Sequence, residues 1–129
     1  MSVGIVRLGS ERLPGEGLRL GTVRHPPRGV PKAEHASADW YDFWLPDLAP
    51  SAELLRLSRQ ADGIGDFAAF ARKYRREMAQ PECARLLDLL ALLSHQTDFS
   101  VGCYCAEEAR CHRSLLREML AGRGASMRV

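Results

Sequence analysis

Residues 81–105 constrain the fold more than any other stretch of the chain. Pro81 suits the first position of a helix, where its missing N–H costs nothing. The body that follows, C-A-R-L-L-D-L-L-A-L-L over 83–93, is almost wholly apolar. A helix apolar around most of its circumference is expected to be well buried. It ends near S-H-Q-T-D, and F-S-V-G-C-Y-C over 99–105 reads as a strand. After a short A-E-E-A-R turn a last helix is expected over 111–121, stopped by Gly122. Buried helix, buried strand and helix form a crossover pattern. It predicts an α/β fold, a parallel or mixed sheet with helices packed on it.

The rest of the chain fits one compact domain over 1–129. V-G-I-V-R-L at 3–8 and L-R-L-G-T-V-R at 18–24 read as strands, joined by the turn-rich E-R-L-P-G-E-G at 11–17. H-P-P-R-G-V-P-K at 25–32 is stiff, irregular backbone suited to presenting side chains. The aromatic-rich 39–48 stretch fits either a short extended segment or one helical turn. Ser51 is placed to cap the next helix, with Glu53 in its first turn. Residues 65–79 predict an amphipathic helix. Phe67, Phe70, Tyr74 and Met78 form its core stripe, and Arg72, Lys73, Arg75 and Arg76 its solvated face. Cys83 reads as a small core residue, and the tail at 125–129 as a final short strand.

Composition narrows the classes of function. A net charge of +2 is too small to imply a nucleic-acid or membrane partner, and no apolar segment approaches the length that spans a bilayer. No signal peptide is visible, so a cytoplasmic chain is expected, with its four cysteines reduced. The basic residues comprise 16 Arg and 2 Lys. A GC-rich genome accounts for such a bias, and so does bidentate recognition of phosphate or carboxylate, for which Arg is better shaped than Lys.

Three of the four cysteines lie in V-G-C-Y-C-A-E-E-A-R-C-H-R, residues 101–113. On a strand Cys103 and Cys105 share a face, with Cys103 deeper and Cys105 at the carboxyl end, where α/β sheets bind ligands. Cys111, His112 and Arg113 fall at the helix start, whose free N–H groups favour anions. Arg113 adds a cation and Ser114 a hydroxyl. Cys105, Glu107 and His112 are the candidate catalytic groups; Arg24, Arg28, Arg113 and Ser114 are the candidate ligand-binding groups. The C-x-C-x5-C-H spacing does not match paired zinc knuckles. On a helix Cys111 and His112 would point about 100° apart. No metal set is therefore assigned, and the sequence names no cofactor.

C-A-E-E-A-R-C-H-R resembles the C-A-E…C-H-R signature of domain-of-unknown-function family 488, the YeaO-like proteins. V-R-H-P-P-R-G, W-L-P-D-L-A-P-S-A-E-L and F-A-A-F-A-R-K-Y-R-R-E-M resemble three earlier segments of that family, in the same order. The matching positions are Arg24, Arg28, Gly29, Trp44, Pro50, Ser51, Cys105, Glu107, Cys111, His112 and Arg113. The family's loop usually reads Asp-Arg-Leu-Trp-Pro-Arg-Gly; this chain has Val23, His25 and Pro26 at the Asp, Leu and Trp positions. The resemblance implies a compact α/β domain and no established activity.

The leading expectation is a pocket for a small phosphate- or nucleotide-like anion, in which an enzyme could act. The second is a metal or redox protein using Cys105, Cys111 and His112, with Cys103 or Glu107 completing the set. The third is a module whose basic helix, Arg72 to Arg76, docks on nucleic acid or protein. The small net charge ranks it last.

Overall fold

A computed structural model describes residues 1–59 and 64–128, without the side chains of 58, 59 and 64–66. The chain forms β1 (Val3–Arg7), β2 (Leu18–Gly21), β3 (Phe43–Trp44), α1 (Ala52–Arg59), α2 (Ile64–Met78), α3 (Pro81–Leu93), β4 (Phe99–Cys103) and α4 (His112–Gly122). Short 3-10 turns sit at Lys32–Glu34, Pro46–Leu48 and Glu108–Arg110.

The four strands make one sheet in the order β1-β4-β2-β3, and every pairing is parallel. Parallel neighbours require long connections. The chain supplies the longest between β3 and β4, through α1, α2 and α3. β4 lies between β1 and β2, with Val6 and Gly21 both in register with Gly102, and all five of its residues are buried. The tail adds an isolated parallel bridge, Met127 to Val3, beside β1; Val129, the end of the expected tail strand, lies outside the described residues.

The strands are shorter than their sequence patterns. β2 stops at Gly21, with Val23 and Arg24 beyond it lining a cleft, and β4 stops at Cys103. The 39–48 stretch takes both expected forms, a two-residue strand and then a 3-10 turn. Ser51 caps α1 as expected, its Oγ accepting the Leu54 N–H at 3.1 Å and donating to Glu77.

The core joins the sheet to α2, α3 and α4. Tyr74 and Met78 from α2, Leu87 from α3, and Leu116 and Leu120 from α4 are fully buried against Val3, Phe99 and Val101. Each such side chain contributes about 1.5–3 kcal/mol of burial. α3 corrects its sequence reading. Leu87, Leu90 and Ala91 are buried, but Leu89 and Leu92 are 50% and 70% exposed. Only one side of α3 meets the core, so apolar residues on its outer side stay in solvent. A second, smaller core of Leu8, Val23, Tyr41, Cys103 and Cys111 lies under the carboxyl ends of the strands. No helix among the described residues is long and apolar enough to cross a membrane.

Candidate functional site

A cleft of about 940 Å³ opens across the carboxyl ends of β1, β2 and β4. Ligands of parallel α/β sheets bind in this position, because the loops leaving the strands diverge there. Its walls include Leu8, Val23, Trp40, Tyr104 and Leu55; its polar lining includes Arg7, Arg24, His25, Arg28, Cys105 and His112.

The loops are held in place by residues of the sequence motifs. Arg24 donates to the carbonyls of Pro50, Pro46 and Ala49 at 3.1–3.2 Å. Trp44 donates its indole N–H to the Val23 carbonyl at 2.7 Å. The Tyr104 hydroxyl donates to the His25 carbonyl at 2.8 Å, and Trp40 meets the Tyr104 ring edge-on at 5.7 Å. Gly29 turns the loop with φ +70°, a conformation costly for other residues.

His112, at the first position of α4, is 6% exposed. Its Nε2 lies 2.7 Å from the Thr22 carbonyl, which can only accept, so the proton sits on Nε2 and Nδ1 keeps a lone pair. Burial pushes the His112 pKa down to about 4, so the ring is neutral at physiological pH. Nδ1 faces the Cys111 sulfur at 3.7 Å, and the Cys111 and Cys103 sulfurs lie 2.7 Å apart. Cys111 is not in the helix. It occupies the N-cap with extended backbone (φ −131°, ψ 155°), so helical spacing does not separate it from His112. The gathered set is Cys103, Cys111 and His112, with donor atoms all within 4.8 Å of one another.

Cys105 is exposed in the cleft, and its backbone N–H donates to the Cys103 sulfur at 3.4 Å. The neighbouring Cys103 and Cys111 thiols hold its own thiol well below the ordinary value, outweighing burial; the Arg113 charge adds to this. The Cys103 thiol is pushed up by the neighbouring Cys105 and Cys111 thiols and by burial. Cys105 is thus the thiol of the three that ionises first.

Of the seven residues singled out in the sequence, four line the cleft: Arg24, Arg28, Cys105 and His112. Arg24 is tied to three carbonyls, and the His112 N–H is tied to Thr22. Arg113 is 3% exposed beneath the site, donating to the Cys105 carbonyl at 2.6 Å, while its buried Nε has no partner. Ser114 donates to the Cys111 carbonyl, and Glu107 is exposed outside the cleft lining. Sequence reading missed Arg7, Trp40 and Tyr104. Arg7, the last residue of β1, was open to inference from its place at a strand's carboxyl end. The two aromatics are brought in by tertiary packing and carried no local signal.

Fold and cleft define a small parallel α/β domain with an arginine-rimmed cleft at the carboxyl edge of its sheet. The chain belongs to the DUF488 family, a family of unknown function: a family model described as the active DUF488-N3 subclade, DUF488-N3a, matches residues 3–124. Comparison with curated proteins and with solved structures gave no match.

Proposed function

We propose that the cleft binds a small anionic ligand of phosphate-ester or nucleotide type, and that Cys105 is its reactive group. The observation carrying this reading is the pair Arg7 and Arg28. Both line the cleft, both are exposed, and neither guanidinium has a hydrogen-bond or ion-pair partner among the described residues. A guanidinium free at a cleft mouth offers a fork of donors to a phosphate or carboxylate. The apolar and aromatic walls around Trp40 and Tyr104 suit a flat or hydrophobic body attached to the anion.

Cys105 supports an enzyme rather than a passive binder. An exposed thiol held below its ordinary pKa supplies thiolate, the nucleophilic form, at neutral pH. The family description as an active subclade agrees with this. His112 is neutral with its N–H bonded to Thr22, so it acts as a fixed wall of the site, and Arg113 as buried positive charge beneath it.

The test is a thermal-shift and calorimetric screen of nucleotides and sugar phosphates on the wild type and on an Arg7→Ala/Arg28→Ala variant. Anions are expected to stabilise the wild type and to lose that effect in the variant. Equal behaviour of the two proteins would sink the proposal. Alkylation of Cys105 by iodoacetamide, slowed by the same ligands, is the expected sign that thiol and anion share the cleft.

A further inference from the structure

We propose that Cys103, Cys111 and His112 form a binding site for a thiophilic divalent metal ion, zinc above all, at the floor of the cleft. Three observations converge on it. First, two sulfurs and an imidazole nitrogen, from β4 and the start of α4, lie within 4.8 Å of one another and are all buried. Soft thiolates with imidazole are the donor set that zinc takes up.

Second, the histidine is already oriented as a ligand. Its Nε2–H is fixed on the Thr22 carbonyl at 2.7 Å, which leaves the Nδ1 lone pair on the side of the Cys111 sulfur. A second-shell carbonyl that sets the tautomer in this way is the usual companion of a metal-binding imidazole. Tyr74 packs edge-on against the ring at 5.5 Å and holds its plane.

Third, the Cys105 backbone N–H donates to the Cys103 sulfur at 3.4 Å, a contact that a metal-bound sulfur keeps. The thiolate is the form that binds metal, so uptake of the ion releases the thiol protons. Tetrahedral coordination at Zn–S distances of about 2.3 Å requires the two sulfurs to move apart from their 2.7 Å separation. Cys111, outside the helix at a turn, is the one free to shift.

Three protein ligands leave a fourth position, as in catalytic rather than structural zinc sites. Cys103 and His112 both line the cleft, so that position opens toward it and falls to water or to an oxygen of a bound anion. Cys105 stands outside the three-donor set, with its thiol exposed beside it. The site stands on its own donors, whichever anion the cleft takes.

The experiment is metal analysis of the full-length chain expressed with added zinc and purified under reducing conditions without chelator, followed by cobalt(II) replacement. The expected result is stoichiometric zinc, and with cobalt a tetrahedral visible spectrum with a thiolate charge-transfer band. Cys111→Ser and His112→Gln should lose the bound metal and the band. Cys105→Ser, Cys83→Ser and the Arg7→Ala/Arg28→Ala variant should keep both. A wild-type protein that retains no stoichiometric metal and gives no thiolate–cobalt band overturns the proposal, whether or not the variants fold. So does loss of the band in Cys105→Ser with retention in Cys111→Ser. An intact mass two hydrogens lighter, under non-reducing handling and unaffected by zinc, also overturns it, since the pair is then a disulfide.

Discussion

The imidazole of His112 donates to the Thr22 carbonyl across 2.7 Å, and this bond ties the start of α4 to the end of β2. Thr22 in turn donates twice to Gly102, from its backbone N–H at 3.0 Å and from its hydroxyl at 2.9 Å. The chain His112–Thr22–Gly102 therefore fixes the corner on which the cleft is built. His112→Ala removes a buried ring and leaves a buried carbonyl unpaired. The expected loss is about 2–4 kcal/mol, read as a lower urea midpoint with unchanged slope.

Arg24 and Arg28, four residues apart on one loop, are predicted to behave oppositely. Arg24 is bonded to three carbonyls of the 46–50 segment. Arg24→Ala should cost about 1–3 kcal/mol, because hydrogen bonds to a charged group are among the stronger ones. Arg24→Lys should recover only part, since an ammonium lacks the planar fork. Arg28→Ala touches no partner and should stay within about 0.5 kcal/mol of wild type. Chemical denaturation of the three variants checks this, and in Arg28→Ala anion binding should fall with no matching loss of stability.

How much of this was legible in the sequence depends on whether the signal was periodic or positional. The Phe67–Met78 stripe and the Ser51 cap carry their instructions locally, and both are found as read. A parallel or mixed sheet followed from the order of elements, and the sheet formed is parallel throughout its pairings. Burial of α3 was overread, because Leu89 and Leu92 are as apolar as Leu87 and differ only in which way the helix faces. At the site, the motif residues Arg24, Trp44, His112 and Arg113 turned out to be occupied with backbone carbonyls. An arginine in a loop looks the same in sequence whether it waits for a ligand or holds the loop. The metal reading turned on one backbone angle: Cys111 is extended rather than helical, which no side-chain pattern reveals.

The pair Glu16 and Arg19, one in a stretch that reads as plain turn and the other in the strand after it, gave no sign in the sequence, yet they are 2% and 1% exposed. Burial alone would raise the Glu16 pKa. The Arg19 hydrogen bond, the Leu13 N–H at 2.9 Å and the charges of Arg19 and Arg12 outweigh it, and the net shift is downward. A carboxyl with a depressed folded pKa contributes stability that is present above its unfolded value, 4.5, and lost as pH falls through the folded one. Asp42, lowered in the same sense chiefly by Arg12 against its own burial, adds to this from its own unfolded value, 3.8, downward. Acid destabilisation is therefore expected to set in below pH 4.5. Glu16→Gln should lose about 3–5 kcal/mol at neutral pH, as expected when a buried cation is deprived of its partner. It should also show a shallower fall in acid, measured by urea midpoints across that range.

Gly102 is predicted to be the least replaceable residue of β4. An added Cβ there would lie 2.7 Å from the Val6 carbonyl oxygen and 2.9 Å from the Leu8 side chain. Neither can yield easily: Val6 is in the parallel ladder opposite Gly102, and Leu8 belongs to the small core under the cleft. Gly102→Ala must push β1 and β4 apart, and overpacking of this kind costs about 1–3 kcal/mol. The displacement falls on Cys103, the next residue, and on the carbonyl that receives both Thr22 bonds. The variant should therefore melt lower and also bind anion and metal more weakly than its stability loss alone requires. Gly122→Ala is the matched control. Gly122 is the last residue of α4 and has nothing within 4 Å of its added Cβ, so alanine there should be neutral or stabilising by up to about 1 kcal/mol. Thermal melts of the two variants, with and without ligand, test both halves. A Gly102→Ala protein that melts and binds like wild type would show that the strand ends do not hold the cleft in place.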